Sequence, residues 1–234
     1  MLFSVTPPIN ANLRPSDPGQ DTVVVLHGMG RTKLSMRWLA SRLGGDGYAV
    51  LNLSYPSTKY PVARLADLLH HELEARGLDH TRRTHFVTHS LGGIVVRAYL
   101  KEHRPANLGC VVMLSPPNQG SEVADRLRRH SFYRLATGPA GQELGTDAAS
   151  TPQQLGPVDF PLGVITGDKS FNPLFSHWIP GRSDGKVSVE RAKVEGMTDF
   201  LVVPHSHSFI MRSGNVAMQV AHFLKCRSFN RTPA

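Results

Sequence analysis

Ser90 sits where two periodicities meet. Phe86 and Val87 form a short strand-like approach, while Leu91, Ile94, Val95, Ala98 and Tyr99 recur at the spacing of a helix with one buried face. A chain that turns this abruptly from strand to helix brings backbones close together, and Gly92 and Gly93 supply clearance by having no Cβ. The serine hydroxyl is then pushed out above the sheet, and the Leu91 N–H, at the start of the helix, points at whatever binds beside it. That geometry suits a nucleophile. A serine hydroxyl is a weak one until an imidazole takes its proton, and the imidazole needs a carboxylate to fix its tautomer and steady its charge. Downstream, His205 and His207 fall on the same side of an extended segment, so alternation does not separate them as the base. Asp168 and Asp184 are the candidate acids: the first directly follows an apolar run, the second precedes Gly185 in a turn-like dipeptide.

The elements that must carry these residues alternate. Val23 to Leu26 is a continuous apolar run of the kind found in parallel strands covered on both faces. It ends in His27-Gly28-Met29-Gly30. Neither G-x-x-x-x-G-K nor G-x-G-x-x-G is completed there, because Lys33 stands where the last glycine would fall, so nucleotide binding is disfavoured. The turn is better suited to aiming the Met29 N–H over the neighbouring strands. His27 is read as fixing this turn by hydrogen bonding, and His89 as too near Ser90 in the chain to be its base. Helical spacing follows at Met36 to Leu43 and again from Val62 to Leu73. Further strands are expected at Tyr48–Leu53, Cys110–Leu114, Leu162–Thr166 and Phe200–Val203, with a closing helix through Val216 and Leu224. The pattern predicts an α/β fold of about six mostly parallel strands with helices on both faces, and Met29, Ser90, Asp168 and His207 all follow strand-like runs, where sites in such sheets lie.

Composition narrows the function classes. With 234 residues and 40% hydrophobic content, one globular domain is expected over 21–228, with an irregular Pro-rich arm at 1–20 and a tail at 229–234. The Gly- and Pro-broken stretch 117–161 reads either as a short cover over the site or as an ordinary surface excursion. The net charge of +8 is spread over short groups such as Arg82-Arg83 and Arg126, Arg128 and Arg129, without a nucleic-acid motif, so no nucleic-acid partner is expected. Two distant cysteines and a His71-Glu72 pair lacking a second histidine three residues on argue against a structural metal. No apolar run is long enough to span a bilayer, which leaves only transient contact with a lipid surface, and Met1 to Asn10 lacks signal-peptide character; a cytoplasmic location is expected.

Taken together, Val25-Leu26-His27-Gly28-Met29-Gly30, Thr88-His89-Ser90-Leu91-Gly92-Gly93, Pro117-Asn118-Gln119-Gly120-Ser121, Ser183-Asp184-Gly185-Lys186-Val187 and His205-Ser206-His207 resemble the α/β-hydrolase superfamily, and within it the bacterial lipase and esterase branch. The likeness runs from about Thr22 to Leu224, with one departure: Thr88 stands where the elbow motif has its first glycine. It implies a reduced α/β-hydrolase fold lacking two early strands, and a serine hydrolase that cleaves carboxylic esters without metal or cofactor. On that resemblance the nucleophile is Ser90, the acid Asp184 rather than Asp168, the base His207 rather than His205, and the oxyanion donors are the Met29 and Leu91 N–H groups. An acyltransferase using the same residues, or a non-catalytic binding protein keeping the fold, are the alternatives.

Overall fold

The computed structural model describes residues 19–78, 82–171 and 177–231. Most of the expected N-terminal arm (1–18) and the end of the tail (232–234) lie outside them. Six strands form one sheet: β1 (Thr22–Leu26), β2 (Ala49–Leu53), β3 (Thr84–His89), β4 (Leu108–Leu114), β5 (Leu162–Gly167) and β6 (Asp199–Val203). All pair in parallel in the order β2-β1-β3-β4-β5-β6.

Period-two alternation along the strands divides the core. Val23 and Val25 of β1 face one side, with Cys110, Val112 and Leu114 of β4. They pack against Met36, Leu39 and Leu43 on α1 (Arg37–Gly45) and its N-cap, and against Val216, Val220 and Phe223 on α7 (Gly214–Cys226). Val24, Leu26, Phe86, Val111 and Met113 face the other way, against α2 (Val62–Ala75) and α3 (Leu91–Glu102). Both faces are therefore covered, which is why the strands read as unbroken apolar runs rather than as alternating ones.

The chain leaves β1 toward β2 on one side and returns to place β3 on the other, so the strand order reverses at β1/β3. The crevice at such a reversal is where parallel sheets hold ligands, because the connecting segments diverge there. Leu26 is in register with Thr88, which brings the turns carrying Met29 and Ser90 side by side.

Between β4 and β5 lie three short helices, α4 (Glu122–Leu127), α5 (Ser131–Gln142) and α6 (Thr151–Gln154). α5 bends at Gly138, whose φ of 63° and close approach to the Thr58 carbonyl exclude any side chain. The segment is tied down by Arg97 of α3. This buried guanidinium donates from Nη1 to the Asn118 carbonyl (2.9 Å) and from Nη2 to those of Gly156 (2.6 Å) and Pro152 (3.3 Å). Burial lowers it to about 10. Helical periodicity places Arg97 on no apolar stripe, so the sequence alone gave no sign of this role. Arg97→Met should strand three carbonyls and cost about 2 kcal/mol of stability, at one to three for each buried polar group left unpaired, offset by removal of a buried charge. The urea midpoint should fall and proteolysis within 118–156 should quicken; unchanged values for both would show that the segment is held otherwise.

Candidate active site

The Ser90 backbone has φ 53° and ψ −123°, a conformation L-residues rarely adopt, and sits between β3 and α3. Its N–H donates to the Leu114 carbonyl, which fixes the turn against β4. A Cβ on Gly92 would meet the His27 carbonyl at 2.8 Å, and one on Gly28 would meet His89 Nδ1 at 2.8 Å and Ser90 Cβ at 3.1 Å. The two turns are thus closely packed, Gly92 against backbone and Gly28 against the His89 and Ser90 side chains. Thr88, fully buried, lies in β3 beside Leu26 and Met113 without preventing the sharp turn two residues on.

Three side chains from separate connections form a continuous hydrogen-bonded chain. Ser90 Oγ lies 3.1 Å from His207 Nε2, and His207 Nδ1 lies 2.8 Å from Asp184 Oδ2. Asp184 is itself held by its surroundings. The Lys186 and Val187 N–H groups both donate to Oδ1 at 2.9 Å, and the Asp184 carbonyl accepts from the His207 N–H at 3.0 Å. Burial alone would push this carboxyl up, but the facing imidazole and these donors hold it below the usual carboxylate range. It is therefore ionised, so His207 Nδ1 carries the proton that it shares with Oδ2 and Nε2 is left to accept from the Ser90 hydroxyl.

Asp168 takes a different place. It follows β5 and its carboxylate accepts from Arg182 at 2.6 Å. His205 lies in the turn after β6, where its carbonyl accepts the Lys169 N–H.

His27 and His89 are structural partners. His27 stacks on Tyr55 with ring centroids 4.4 Å apart; its Nδ1–H donates to the Gly28 carbonyl and its Nε2 accepts the Tyr55 N–H. His89, which sequence distance alone had excluded as a base, reaches across the site: its Nε2–H donates to the His207 carbonyl at 2.9 Å, holding the loop that carries His207. Burial drives it well below its ordinary value, so it is neutral. On α2, His70 and His71 lie 3.3 and 3.6 Å from Glu74 Oε2.

The Met29 turn closes through the Arg31 N–H to the Gly28 carbonyl, with Gly30 at φ 65°. The Gly30 N–H is taken by Ser57 Oγ. The Met29 amide is the one between them. The Leu91 N–H, as the first in α3, has no acceptor within the helix. The Met29 and Leu91 amides thus belong to the adjoining turns that follow β1 and β3.

Burial pulls His27 from 6.5 down to about 4. A group whose folded value is depressed supplies stability above its unfolded value, and that stability is lost as pH falls through the folded one. Between pH 6.5 and about 4 the protein should lose on the order of 3 kcal/mol from this residue, with His89 acting in the same direction. Urea titrations across that range with wild type and His27→Asn would check it; an unchanged slope in the variant would remove His27 as the cause.

A six-stranded parallel sheet with a serine at a strained strand-to-helix turn defines an α/β-hydrolase. The alpha/beta hydrolase family profile matches residues 23–212, and the chain belongs to that family. Among solved structures it is similar to phospholipase PlaB from Legionella pneumophila, at 21% identity and a TM-score of 0.72, over 90% of this chain and 60% of that one. It is similar also to the mature lipase BlEst2 from Bacillus licheniformis (20% identity, TM-score 0.67, 90% and 93% covered) and to a monoacylglycerol lipase from Paleococcus ferrophilus (17%, 0.58, 90% and 97%). The chain thus spans less than two thirds of the Legionella phospholipase. No curated protein matches it significantly. Among the described residues no helix is long and apolar enough to cross a membrane.

Proposed function

We propose that this protein is a serine hydrolase that cleaves carboxylic esters through an acyl-enzyme. The observation that carries the reading is the unbroken path from the Ser90 hydroxyl through His207 to a buried, ionised Asp184 at the strained elbow. His207 Nε2 takes the hydroxyl proton as Ser90 Oγ attacks the ester carbon, and the resulting oxyanion rests against the Met29 and Leu91 N–H groups. The same proton passes to the departing alcohol. Water then attacks the acyl-enzyme by the reverse route, releasing the acid and restoring the serine. No metal or cofactor enters these steps.

Residues 21–228 act as one unit in this reading, with 117–161 beside the mouth. A covering segment of only three short helices favours small and medium acyl esters over long-chain lipids, and a cavity of about 240 Å³ adjoins His207. Exposed Phe171 and Phe209 line that cavity and support brief contact with lipid-like substrates. A fluorophosphonate probe should label the protein, with the adduct mapped to Ser90. Absence of labelling in folded protein would favour a non-catalytic binding protein, and transfer to an added alcohol outrunning hydrolysis would favour an acyltransferase.

A further inference from the structure

Three cationic side chains, Lys186, Arg212 and Arg31, have no ion-pair partner among the described residues, and the first two stand at the cavity that His207 lines. Lys186 lines the cavity that also contains Ser170, Asp184, His207 and Phe209. The Arg212 guanidinium lies 5.9 Å from the centre of the Phe209 ring, over the cavity's rim. Arg31 closes the turn that carries Met29.

Their charges are felt by one another. Burial lowers Arg31, and Arg212 lowers it further. Lys186, although open to solvent at the rim, is lowered by desolvation and by Arg31. The nearest carboxylate to Lys186, Asp184, is already committed to His207 and two backbone amides. Gathering like charges in a partly desolvated place disfavours the folded state, and an arriving anion relieves that cost while gaining charge-assisted hydrogen bonds.

Position identifies which part of a substrate would carry the anion. His207 Nε2 must hand its proton to the leaving alcohol, so that half of the ester lies on the His207 side, and His207 also lines the cavity that holds Lys186. We propose that Lys186, Arg212 and Arg31 form a subsite for an anionic group, phosphate or carboxylate, on the alcohol half of the ester. This rests on the serine-hydrolase reading above.

Two ester pairs test it: 4-butyryloxybenzoate against its uncharged methyl ester, and a short-chain acylglycerol phosphate against the matching acylglycerol. The readout is the ratio of kcat/KM, anionic over neutral. Wild type should show a ratio that falls by about tenfold in Arg31→Gln/Arg212→Gln and in Lys186→Gln, and likewise on raising salt, as expected for a partly exposed charge contact. A drop in both pairs marks a general anion site, and a drop in the phosphate pair alone marks a lipid phosphate; both support the subsite. A ratio that none of the variants changes overturns it. Should neither neutral nor anionic ester be cleaved and Ser90 resist labelling, the hydrolase reading fails by itself, and the subsite is then read with inorganic phosphate. A rise in Tm that is lost in Arg31→Gln/Arg212→Gln supports an anion site, whereas no rise in wild type overturns it.

Discussion

Ser90→Ala should lower kcat toward an uncharged ester by roughly 10⁴ to 10⁶ while leaving KM within a few fold. Oγ is the atom that would form the covalent bond, and alanine deletes it without disturbing the turn, since both residues carry one Cβ. His207 and Asp184 keep their mutual contact, so what survives is the contribution of the backbone donors and of substrate positioning. Removing His207 as well should therefore add little, because residues that act as one unit lose their effect together. The companion variant Ser90→Gly separates chemistry from strain. At φ 53° glycine is at ease where serine is not, so it should be equally inactive yet more stable by about 1 kcal/mol, at the low end of the cost of such strained residues. Initial rates with a butyryl ester and urea midpoints for the three proteins would check both halves. Turnover retained by folded Ser90→Ala would remove the acyl-enzyme from the reading altogether.

The sheet was legible from the residues because its central strands are buried on both faces and β1 and β4 write themselves as short apolar runs, Val23–Leu26 and Val111–Leu114. The elbow was legible because it is local: strand, serine, paired glycines and helix follow one another without interruption from Thr84 to Glu102. Strand order was not, since nothing in the sequence of β1 states that β2 and β3 lie on opposite sides of it. The residues that escaped notice are those whose partners are far away in the chain. Arg97 looks like an ordinary charged helix position until three carbonyls 21 to 59 residues off converge on it. His89 looks idle until the loop 118 residues later arrives within reach of its Nε2. The choice between Asp168 and Asp184 is of the same kind. Both are short polar residues near strand ends, and only the path of the chain through the Ser183–Ser188 bridge turns one carboxylate toward the imidazole while the other is left to Arg182.

Asp184→Asn should lower kcat by about 10⁴, whereas Asp168→Asn should stay within about threefold of wild type. The asymmetry follows from hydrogen-bond polarity. Asp184 Oδ1 accepts from two backbone N–H groups, so an asparagine there keeps its carbonyl oxygen toward them and turns its NH₂ to His207. Nδ1 must then accept, which moves the ring proton to Nε2 and points it at Ser90 Oγ, where a bare nitrogen is needed. The base is disabled although every heavy atom stays in place. Because the carboxylate also steadies the imidazolium as the serine proton arrives, the loss should fall on kcat rather than on KM. Asp168, by contrast, meets the exposed Arg182 guanidinium and, among the described residues, no imidazole. Steady-state rates on one uncharged ester, with circular dichroism to show that both variants fold, would decide between them. A large loss in Asp168→Asn with Asp184→Asn near wild type would reverse the assignment, and the Asp184–His207 contact would then be a structural ion pair that ties the loop after β6 to the loop after β5.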